Sequence, residues 1–241
     1  MNILFLSAGE PKIDAAESYP TALVEINGVP LVQRQIEQCA PITDRQVILA
    51  LQEKELRRYH LEKVVQLIDT DAKVVSVQGG TQGAACTALL ASHLIDNDKP
   101  LLILNGDEFL NISFEQVLQY FASRKLDGGT VTFKSVHPRY SFVRLDEQGL
   151  VVEAVEKDPI SDNATAGFYY FSKGSDFVRA AKNAIRKDAR HNGMFYICPV
   201  FNELILDGKK VGTFPIDIKD FYPIKSNRQL NEFSAFASDH A

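Results

Sequence analysis

The sequence predicts an α/β fold in which a mixed, mainly parallel sheet carries helices on both faces. In the first half of the chain, short apolar runs alternate with helical segments, and strands joined by helical crossovers pair in parallel. The second half contains shorter strand-like runs separated by turn residues, which predict a small antiparallel sheet. No repeat or Pro/Ser-rich linker separates the halves, so residues 1–241 are expected to form one domain.

The first half is predicted to contain four strand–helix units. A short apolar run bounded by turn signals is typical of a buried strand. The strands are expected at Ile3–Leu6, Gln46–Leu51, Lys73–Val77 and within Pro100–Glu108. The helices are expected at Pro30–Cys39, at Glu53–Ile68 as one or two helices, in the small-residue segment after Gly83, and from about Ser113.

The second half is predicted to contain five strand-like runs and three helices. The strands are expected at 127–133, 141–145, 151–156, 164–172 and 210–216, with a hairpin turn at 146–149. The helices are expected at 175–187, 199–206 and 227–236. This half therefore changes from βα units to mostly antiparallel pairing.

Composition and charge exclude several classes of protein. The formal net charge of −5 argues against bulk binding of nucleic acid or of an anionic membrane. No apolar run approaches the length of a membrane span, and the N-terminus lacks the basic region of a signal peptide. Cys39, Cys86 and Cys198 are odd in number and far apart, so neither a disulfide framework nor a metal site follows. We expect a cytoplasmic protein with buried, reduced cysteines.

Small residues and one carboxylate lie at the predicted carboxyl ends of three strands. Ser7-Ala-Gly9 follows the first strand, Gln78–Gly83 follows the third, and Asn105-Gly-Asp107 follows the fourth. Ligands of open α/β sheets bind outside the carboxyl ends of the strands, and small side chains let a flat ligand lie against the backbone. These segments predict a ligand site, although a tight turn with close helix–sheet packing is the alternative for Gln78–Gly83.

Asp107 is the candidate magnesium ligand. Mg²⁺ takes oxygen ligands, commonly one or two carboxylates plus substrate phosphates. The alternative is an aspartate that caps the next helix or stabilises a turn. Ser113, with Gln116 three residues later, already provides a helix cap, which leaves Asp107 for a metal.

The opening of the chain resembles the sugar-phosphate nucleotidyltransferase superfamily. Leu6-Ser-Ala-Gly9, Pro20-Thr-Ala-Leu23 and Gly28-Val-Pro30 match that family's first strand, loop and helix entry. Two charged positions differ, because the family's loop arginine falls near Ile13 and its Pro-Lys lysine is Thr21 here. The resemblance covers nearly the whole chain and implies a Rossmann-like fold.

The resemblance implies transfer of a nucleoside monophosphate from an NTP to a phosphorylated metabolite, with release of pyrophosphate. The acceptor would be a sugar phosphate or a small non-sugar phosphate, and Mg²⁺ would be the cofactor. The compact chain looks most like small bacterial enzymes of capsule or surface-polysaccharide precursor synthesis. Their relatives include cytidylyltransferases, so CTP is slightly favoured. The nucleotide-binding half would be about 1–126 and the acceptor-binding half about 127–241, and a homodimer is one of the oligomeric states left open.

The resemblance also implies roles for individual residues. Lys12 and Arg139 are alternative sources of the positive charge missing at Thr21, and Lys157 with one of them would orient phosphates in catalysis. The predicted nucleotide-binding residues are Leu6, Ala8, Gly9, Gln78, Thr81, Gln82, Gly83 and Asn105. The predicted acceptor-binding residues are Glu156, Lys157 and Gly167, from a Glu-Lys pair followed by a glycine before an aromatic strand. A solvated turn lysine is the alternative for Lys157.

A second metal ligand is expected shortly before the last helix, where the family tends to place an aspartate. Pro223 stands at the aligned position. Asp217 or Asp220 is therefore the candidate replacement, with Asp220 preferred. A surface turn is the alternative for Asp217–Asp220.

Two other functions fit parts of the sequence. An A-type glycosyltransferase shares the nucleotide-binding half and a metal-binding aspartate but consumes a nucleotide-sugar. A degenerate binding or regulatory protein would keep the nucleotide pocket without chemistry, and Thr21 in place of lysine is its best support. The opening loop and the Glu-Lys…Gly pattern favour the nucleotidyltransferase. The sequence contains neither a Gly-x-Ser-x-Gly elbow nor a Walker-type Gly-Lys-Ser/Thr.

Overall fold

A computed structural model describes residues 1–9 and 19–239 of the chain. The strands are β1 (Asn2–Ser7), β2 (Glu25–Ile26), β3 (Val29–Pro30), β4 (Gln46–Gln52), β5 (Lys73–Val77), β6 (Leu101–Asn105), β7 (Glu108–Leu110), β8 (Gly128–Lys134), β9 (Ser141–Leu145), β10 (Val151–Glu156), β11 (Asn163–Phe171), β12 (Val211–Pro215) and β13 (Phe221–Pro223). The helices are α1 (Leu31–Gln38), α2 (Glu53–Tyr59), α3 (Leu61–Ile68), α4 (Ala84–Leu89), α5 (Ser92–Ile95), α6 (Phe114–Ser123), α7 (Gly174–Arg186), α8 (Phe201–Leu206) and α9 (Asn227–Asp239). Short 3-10 turns lie at Thr21–Leu23, Cys198–Val200 and Ile218–Asp220.

The centre of the fold is a parallel sheet with the strand order β6-β1-β4-β5. β1 pairs in parallel with β4 on one side and with β6 on the other. All four strands therefore end at the same edge of the sheet. The apolar runs that predicted these strands are buried in the described structure, and the expectation of a mainly parallel sheet is confirmed.

The second half of the chain extends this sheet through antiparallel strands. β11 pairs with β6, β8 and β9, and β9 pairs with β10. β12 differs, because it pairs with β8 in parallel. Within the described residues, nine strands thus form one mixed sheet, so the acceptor-side strands continue the nucleotide-side sheet.

Two small antiparallel sheets lie beside the large one and were not expected as separate elements. β2 pairs with β3, and β7 pairs with β13. In the second pair, Pro223 is the register partner of Glu108. This pairing joins the end of the chain to the segment that follows β6, and it decides what surrounds Asp107.

Hydrophobic cores fill both faces of the large sheet. Ile3 and Phe5 of β1 pack with apolar residues of α1, α3 and α6. Leu4 points to the other face and packs with residues of α4, α5, α7 and α8. Alternation along a strand sends successive side chains to opposite faces, so helices cover both faces as predicted.

Two of the three cysteines lie in the core, as expected from the sequence. Cys39 and Cys198 are buried, Cys86 is partly buried, and all three are free thiols. Within 1–9 and 19–239, the helices are all too short or too polar to cross a membrane.

Candidate active site

A cavity of about 1250 Å³ opens at the carboxyl ends of β1, β4, β5 and β6. The chain passes from β1 to β4 and β5 on one side, and it returns to the other side of β1 as β6. The β1–β6 junction is therefore the topological switch point, where ligands of such sheets bind. The sequence-predicted residues that line this cavity are Leu6, Ala8, Gly9, Thr81, Gly83, Asn105, Asp107, Arg139, Glu156, Lys157 and Gly167.

The end of β1 is held by a buried glutamine on the neighbouring strand. Gln52 Nε2 donates to the carbonyl oxygens of Ala8 at 2.9 Å and of Gly9 at 3.2 Å. Gly106 N donates to Leu6 O at 2.9 Å, and a Cβ at Gly106 would lie 1.8 Å from Ser7 Oγ. The backbones at the ends of β1 and β6 therefore approach closely. This approach leaves a flat surface of small residues on the cavity wall.

The glycine-rich turn before α4 is fixed by contacts with Phe195. Gly83 has a φ of 112°, and a Cβ on it would lie 2.3 Å from Phe195 O. The Thr81 and Thr87 hydroxyls lie 2.6 Å apart and stabilise the turn. The turn therefore packs tightly, and its residues Thr81 and Gly83 also line the cavity. Their contact with a nucleotide stays a prediction.

Gln78 and Gln82 do not join this site. Both residues are exposed, and neither is among the described residues that line the cavity. The expectation that their side chains read the edges of the base has no support in the structure.

Asp107 lies beside a glutamate and a lysine. Lys225 Nζ is 2.6 Å from Glu108 Oε1 and 3.6 Å from Asp107 Oδ2. Glu108 Oε2 accepts from Gly167 N at 2.8 Å. Burial lowers the pKa of Lys225, but the carboxylates of Glu108 and Asp107 outweigh it and raise the pKa above its usual value. Lys225 is therefore a fixed positive charge on the cavity wall.

These residues do not fit a magnesium ion held by the protein. Mg²⁺ would need oxygen ligands at about 2.1 Å, whereas an ammonium already faces the oxygens of Asp107 and Glu108. No group of three or more His, Cys, Asp or Glu side chains suited to a metal occurs among the described residues. The donor set favours an ion pair over a divalent cation.

Asp220 is not the second ligand that the sequence analysis expected. It ends the 3-10 turn before β13, and its backbone oxygen accepts from Asn111 N at 2.8 Å. Asp220 is not among the described residues that line the cavity, whereas Pro223 and Lys225 are. Asp217 caps the same turn by accepting from Lys219 N at 3.0 Å. The pairing of β13 with β7 thus brings the side chain of Lys225, and neither aspartate, beside Asp107.

The pair predicted to bind the acceptor, Glu156 and Lys157, lies at the end of β10. Glu156 is buried and accepts a hydrogen bond from the Ser141 hydroxyl. Burial raises the pKa of the Glu156 carboxyl, and the Ser141 hydrogen bond and Lys157 oppose this rise. Lys157 Nζ lies 3.3 Å from Tyr196 Oη and 5.1 Å from the ring centroid of Tyr196. The ammonium is exposed to the cavity, so it can meet a phosphate.

Gly167 closes the space between the two sides of the site. A Cβ at this position would lie 2.3 Å from both Asn105 Nδ2 and Glu108 Oε2. Any side chain would therefore displace the residues at the end of β6. The groups that approach Gly167 here are Asn105 and Glu108 of the same chain, so its expected contact with the acceptor stays a prediction.

Of the two cations predicted to replace the missing lysine charge, only Arg139 lies in the described part of the chain. Arg139 lines the cavity, stacks on Tyr140 with its guanidinium 4.6 Å from the ring centroid, and is exposed. Thr21, which replaces the family's lysine, also lines the cavity. Lys12 lies outside the described residues. Arg139 is therefore placed where it could replace the missing charge, and its role stays a prediction.

Several lining residues were missed by the sequence analysis: Gln52, Lys54, Tyr196, Lys225 and Arg228. Gln52 ends β4 and Lys54 lies two residues later, so the rule that singled out the other strand ends could have found them. Lys225 had no local signal, because it reaches the site only through the pairing of β13 with β7. With Lys54, Lys225 and Arg228 included, the described residues that line the cavity carry five cationic side chains and four carboxylates. This excess of positive charge suits a polyphosphate ligand.

Comparison with known proteins identifies the family. A family model described as nucleotidyl transferase matches residues 15–218. The chain belongs to the nucleotidyl transferase family. The resemblance inferred from the opening loop and the strand ends is confirmed.

Individual members of the nucleotidyl transferase family match part of the chain. It is 29% identical over 184 residues to the mannose-1-phosphate guanylyltransferase catalytic subunit beta of Drosophila melanogaster, covering 71% of this chain and 48% of that protein. It is 29% identical over 176 residues to the bifunctional protein GlmU of Methanocaldococcus jannaschii, covering 71% of this chain and 39% of that protein. The chain thus matches less than half the length of these relatives.

A solved structure of the same type supports the fold over the full length. The nucleoside-diphosphate-sugar pyrophosphorylase of Vibrio cholerae superposes with a TM-score of 0.83 and 20% identity, covering 98% of this chain and 100% of that one. At this identity the likeness concerns the fold alone. It confirms the mixed, mainly parallel Rossmann-like architecture.

Proposed function

We propose that this nucleotidyl transferase family member moves a nucleoside monophosphate from an NTP to a phosphorylated metabolite, with release of pyrophosphate. One observation carries the proposal: a single cavity joins the glycine-rich strand ends of the nucleotide side with Glu156, Lys157 and Gly167 of the acceptor side. A transfer between two substrates needs both to lie in one site. The preferred acceptor class is a sugar phosphate.

The reaction needs no protein nucleophile. A phosphate oxygen of the acceptor attacks the α-phosphorus of the NTP, a new P–O bond forms, and the bond to the bridging oxygen of the leaving pyrophosphate breaks. Positioning and charge neutralisation are then the protein's contributions. The backbone at Ala8, Gly9 and Gly83 would support the base and ribose, and Lys157 with Arg139 would neutralise the acceptor and the transferred phosphate. Magnesium bound to the triphosphate would count as part of that substrate and would neutralise part of its charge.

The names of the relatives support a sugar 1-phosphate as the first acceptor to test. The Drosophila protein is named for transfer to mannose 1-phosphate. CTP as the nucleotide, the synthesis of capsule or surface-polysaccharide precursors, a cytoplasmic location and a homodimer are finer proposals that rest on the resemblance. Three free cysteines support a reducing compartment.

The test is a pyrophosphate-release assay across the four NTPs, each with pooled sugar 1-phosphates, phosphocholine and phosphoamino acids. Release that depends on both an NTP and an acceptor supports the proposal. Hydrolysis of a nucleotide-sugar without such release would support a glycosyltransferase. Nucleotide binding without release for any acceptor would support a degenerate binding protein, and either result overturns the proposal.

A further inference from the structure

Lys225 places a positive charge beside the two carboxylates that follow β6. Its ammonium is 2.6 Å from Glu108 Oε1 and 3.6 Å from Asp107 Oδ2. The Glu108 side chain is only 8% exposed, whereas Lys225 is 36% exposed and lines the cavity. The ammonium thus faces a buried carboxylate on one side and the ligand space on the other.

The fold fixes this lysine from both flanks. Ile224 N donates to Asp107 O at 2.8 Å, which extends the β7–β13 pairing by one residue. Lys225 N donates to Gln229 Oε1 at 3.0 Å, in the first turn of α9. A lysine held by its neighbours loses less rotamer freedom when it binds a ligand. The side chain is therefore preorganised rather than free to leave the site.

The ammonium also changes what Asp107 and Glu108 can bind. A divalent cation beside these carboxylates would also lie close to the unit positive charge of Lys225, which repels it. An ammonium has three N–H donors. Glu108 Oε1 accepts one of them at 2.6 Å and Asp107 Oδ2 lies 3.6 Å away, so at least one N–H remains available for a ligand oxygen.

We propose that Lys225 replaces a protein-held divalent cation at Asp107 and directly binds a phosphate group of the nucleotide or of pyrophosphate. The phosphate-binding part rests on the proposed function, and the metal part does not. The chemical class of the ligand is a polyphosphate, whose oxygens accept from the ammonium. Lys225 therefore supplies at this edge of the sheet the charge that the sequence analysis assigned to Mg²⁺.

Manganese binding by the ligand-free protein tests the metal part without any turnover. The free Mn²⁺ signal in electron paramagnetic resonance is titrated with wild type, Lys225→Asp, Lys225→Met and Asp107→Asn. We expect no saturable site below about 1 mM in wild type, no change in Asp107→Asn, and binding at least about tenfold tighter in Lys225→Asp, where a carboxylate replaces the repelling charge. Lys219→Asp, an exposed lysine 74% accessible on the preceding turn, is the matched control and should behave as wild type.

Two results overturn the metal part. One is a tight Mn²⁺ site in wild type that Asp107→Asn removes. The other is an equal gain in Lys219→Asp and Lys225→Asp. If Lys225→Asp does not fold, Lys225→Met carries the same comparison, because it removes the charge and keeps the length of the side chain.

Pyrophosphate binding in the presence of EDTA tests the phosphate part. Calorimetry with inorganic pyrophosphate should give binding to wild type that weakens about tenfold in Lys225→Met, as expected for loss of one charge-assisted hydrogen bond. Lys219→Met should bind as wild type. Equal affinity of wild type and Lys225→Met would overturn this part. Failure of the proposed function would show separately, as absence of acceptor-dependent pyrophosphate release.

Discussion

At the scale of the residue, two positions join the halves of the site. Gly167 lies on β11 and lets Asn105 and Glu108 approach its backbone. Glu156 is buried beside Ser141 and precedes Lys157. Gly167 lies on the strand that pairs with β6, and Glu156 ends β10, which pairs with β9. Both line the cavity, so changes there should affect function.

Gly167→Ala should reduce kcat/KM for both substrates by about 100-fold, since a shift of about 1 Å in positioning groups has an effect of this size. The physical reason is a Cβ 2.3 Å from Asn105 Nδ2 and Glu108 Oε2. Steady-state pyrophosphate release measures it. Gly212→Ala is the control, because its Cβ would meet only the side chain of Leu126 at 2.5 Å. A similar loss of activity in the folded fraction of both variants would contradict the prediction.

Lys157→Met should lower kcat/KM for the phosphorylated acceptor by about 100-fold, because it removes a charge that stabilises the phosphate in the transition state. Its contacts are with Tyr196, at 3.3 Å, so stability should change little. Kinetics at varied acceptor concentration and urea unfolding measure both effects. Lys210→Met serves as the control, because Lys210 is exposed just before β12 and does not line the cavity. If kcat/KM for the acceptor is unchanged, the prediction is wrong and Lys157 is only a solvated surface lysine.

Glu156→Gln should become more stable relative to wild type as the pH rises. Burial raises the pKa of Glu156 in the folded protein, so between the usual and the raised pKa the folded state holds a proton that the unfolded state has lost. The free energy of unfolding of wild type then falls with pH in this window, while glutamine does not titrate. Urea unfolding of both proteins from pH 4 to pH 8 measures the difference. A constant difference across that range would show that the carboxyl is not perturbed.

At the scale of the element, helix α1 positions the segment that follows β6. Gln35 is buried, and its Nε2 donates to Gly106 O at 3.2 Å and to Glu108 O at 3.0 Å. Gln38, one turn later, donates to Leu110 O and, at 3.3 Å, to Ile112 O. An amphipathic helix thus uses two glutamines on its inner face to satisfy the carbonyls of β7 and its flanks.

Gln35→Leu should lower the free energy of unfolding by about 1–3 kcal/mol, because it leaves buried carbonyl oxygens without a donor. It should also weaken pyrophosphate binding, since Asp107 lies between the two carbonyls that Gln35 holds. Chemical unfolding and calorimetry measure these effects. Gln33→Leu is the matched control on the same helix, because Gln33 bonds only to Glu37 at 2.8 Å on the exposed side. Equal destabilisation by both variants would contradict a special role for Gln35.

At the scale of the whole molecule, the C-terminal helix α9 closes the cavity wall. Phe233 is buried and contacts the rings of Phe109 and Tyr222, with centroids 4.7 and 5.1 Å away. Gln229 of the same helix accepts from Lys225 N. The last helix therefore holds β13 against β7 and so holds Lys225 beside Asp107.

Phe233→Ala should lower the free energy of unfolding by about 3–5 kcal/mol, the usual range for a buried phenylalanine. Its activity should fall further than the loss of folded protein explains, because β13 would no longer be held. Urea unfolding and activity per folded molecule measure the two effects. Leu206→Ala, whose side chain is 71% exposed, should change stability by about 0.5 kcal/mol or less. If activity in Phe233→Ala falls only in proportion to the loss of folded protein, α9 does not hold the site in place and the prediction is wrong.

Features that depend on residues close together in the sequence were predicted better than features that depend on distant segments. β5 and β9 agree with their expected bounds, and Ser113 caps α6 by accepting from Gln116 N as the capping pattern predicted. These features depend on periodicity and on hydrogen bonds between near neighbours. The three-residue strands β7 and β13 have no such local signal, and neither was predicted.

The sequence by itself determined the order of strands and helices, the small residues at the strand ends, and the placement of Asp107 at the ligand-binding edge. Each follows from apolar periodicity, turn chemistry or the geometry of parallel sheets. Only the tertiary structure decided that Lys225, 117 residues from Glu108 along the chain, meets the carboxylates there, and that Gln78, Gln82 and Asp220 do not line the cavity. Short-strand register and the direction of loop side chains depend on contacts between distant segments, which no local pattern encodes.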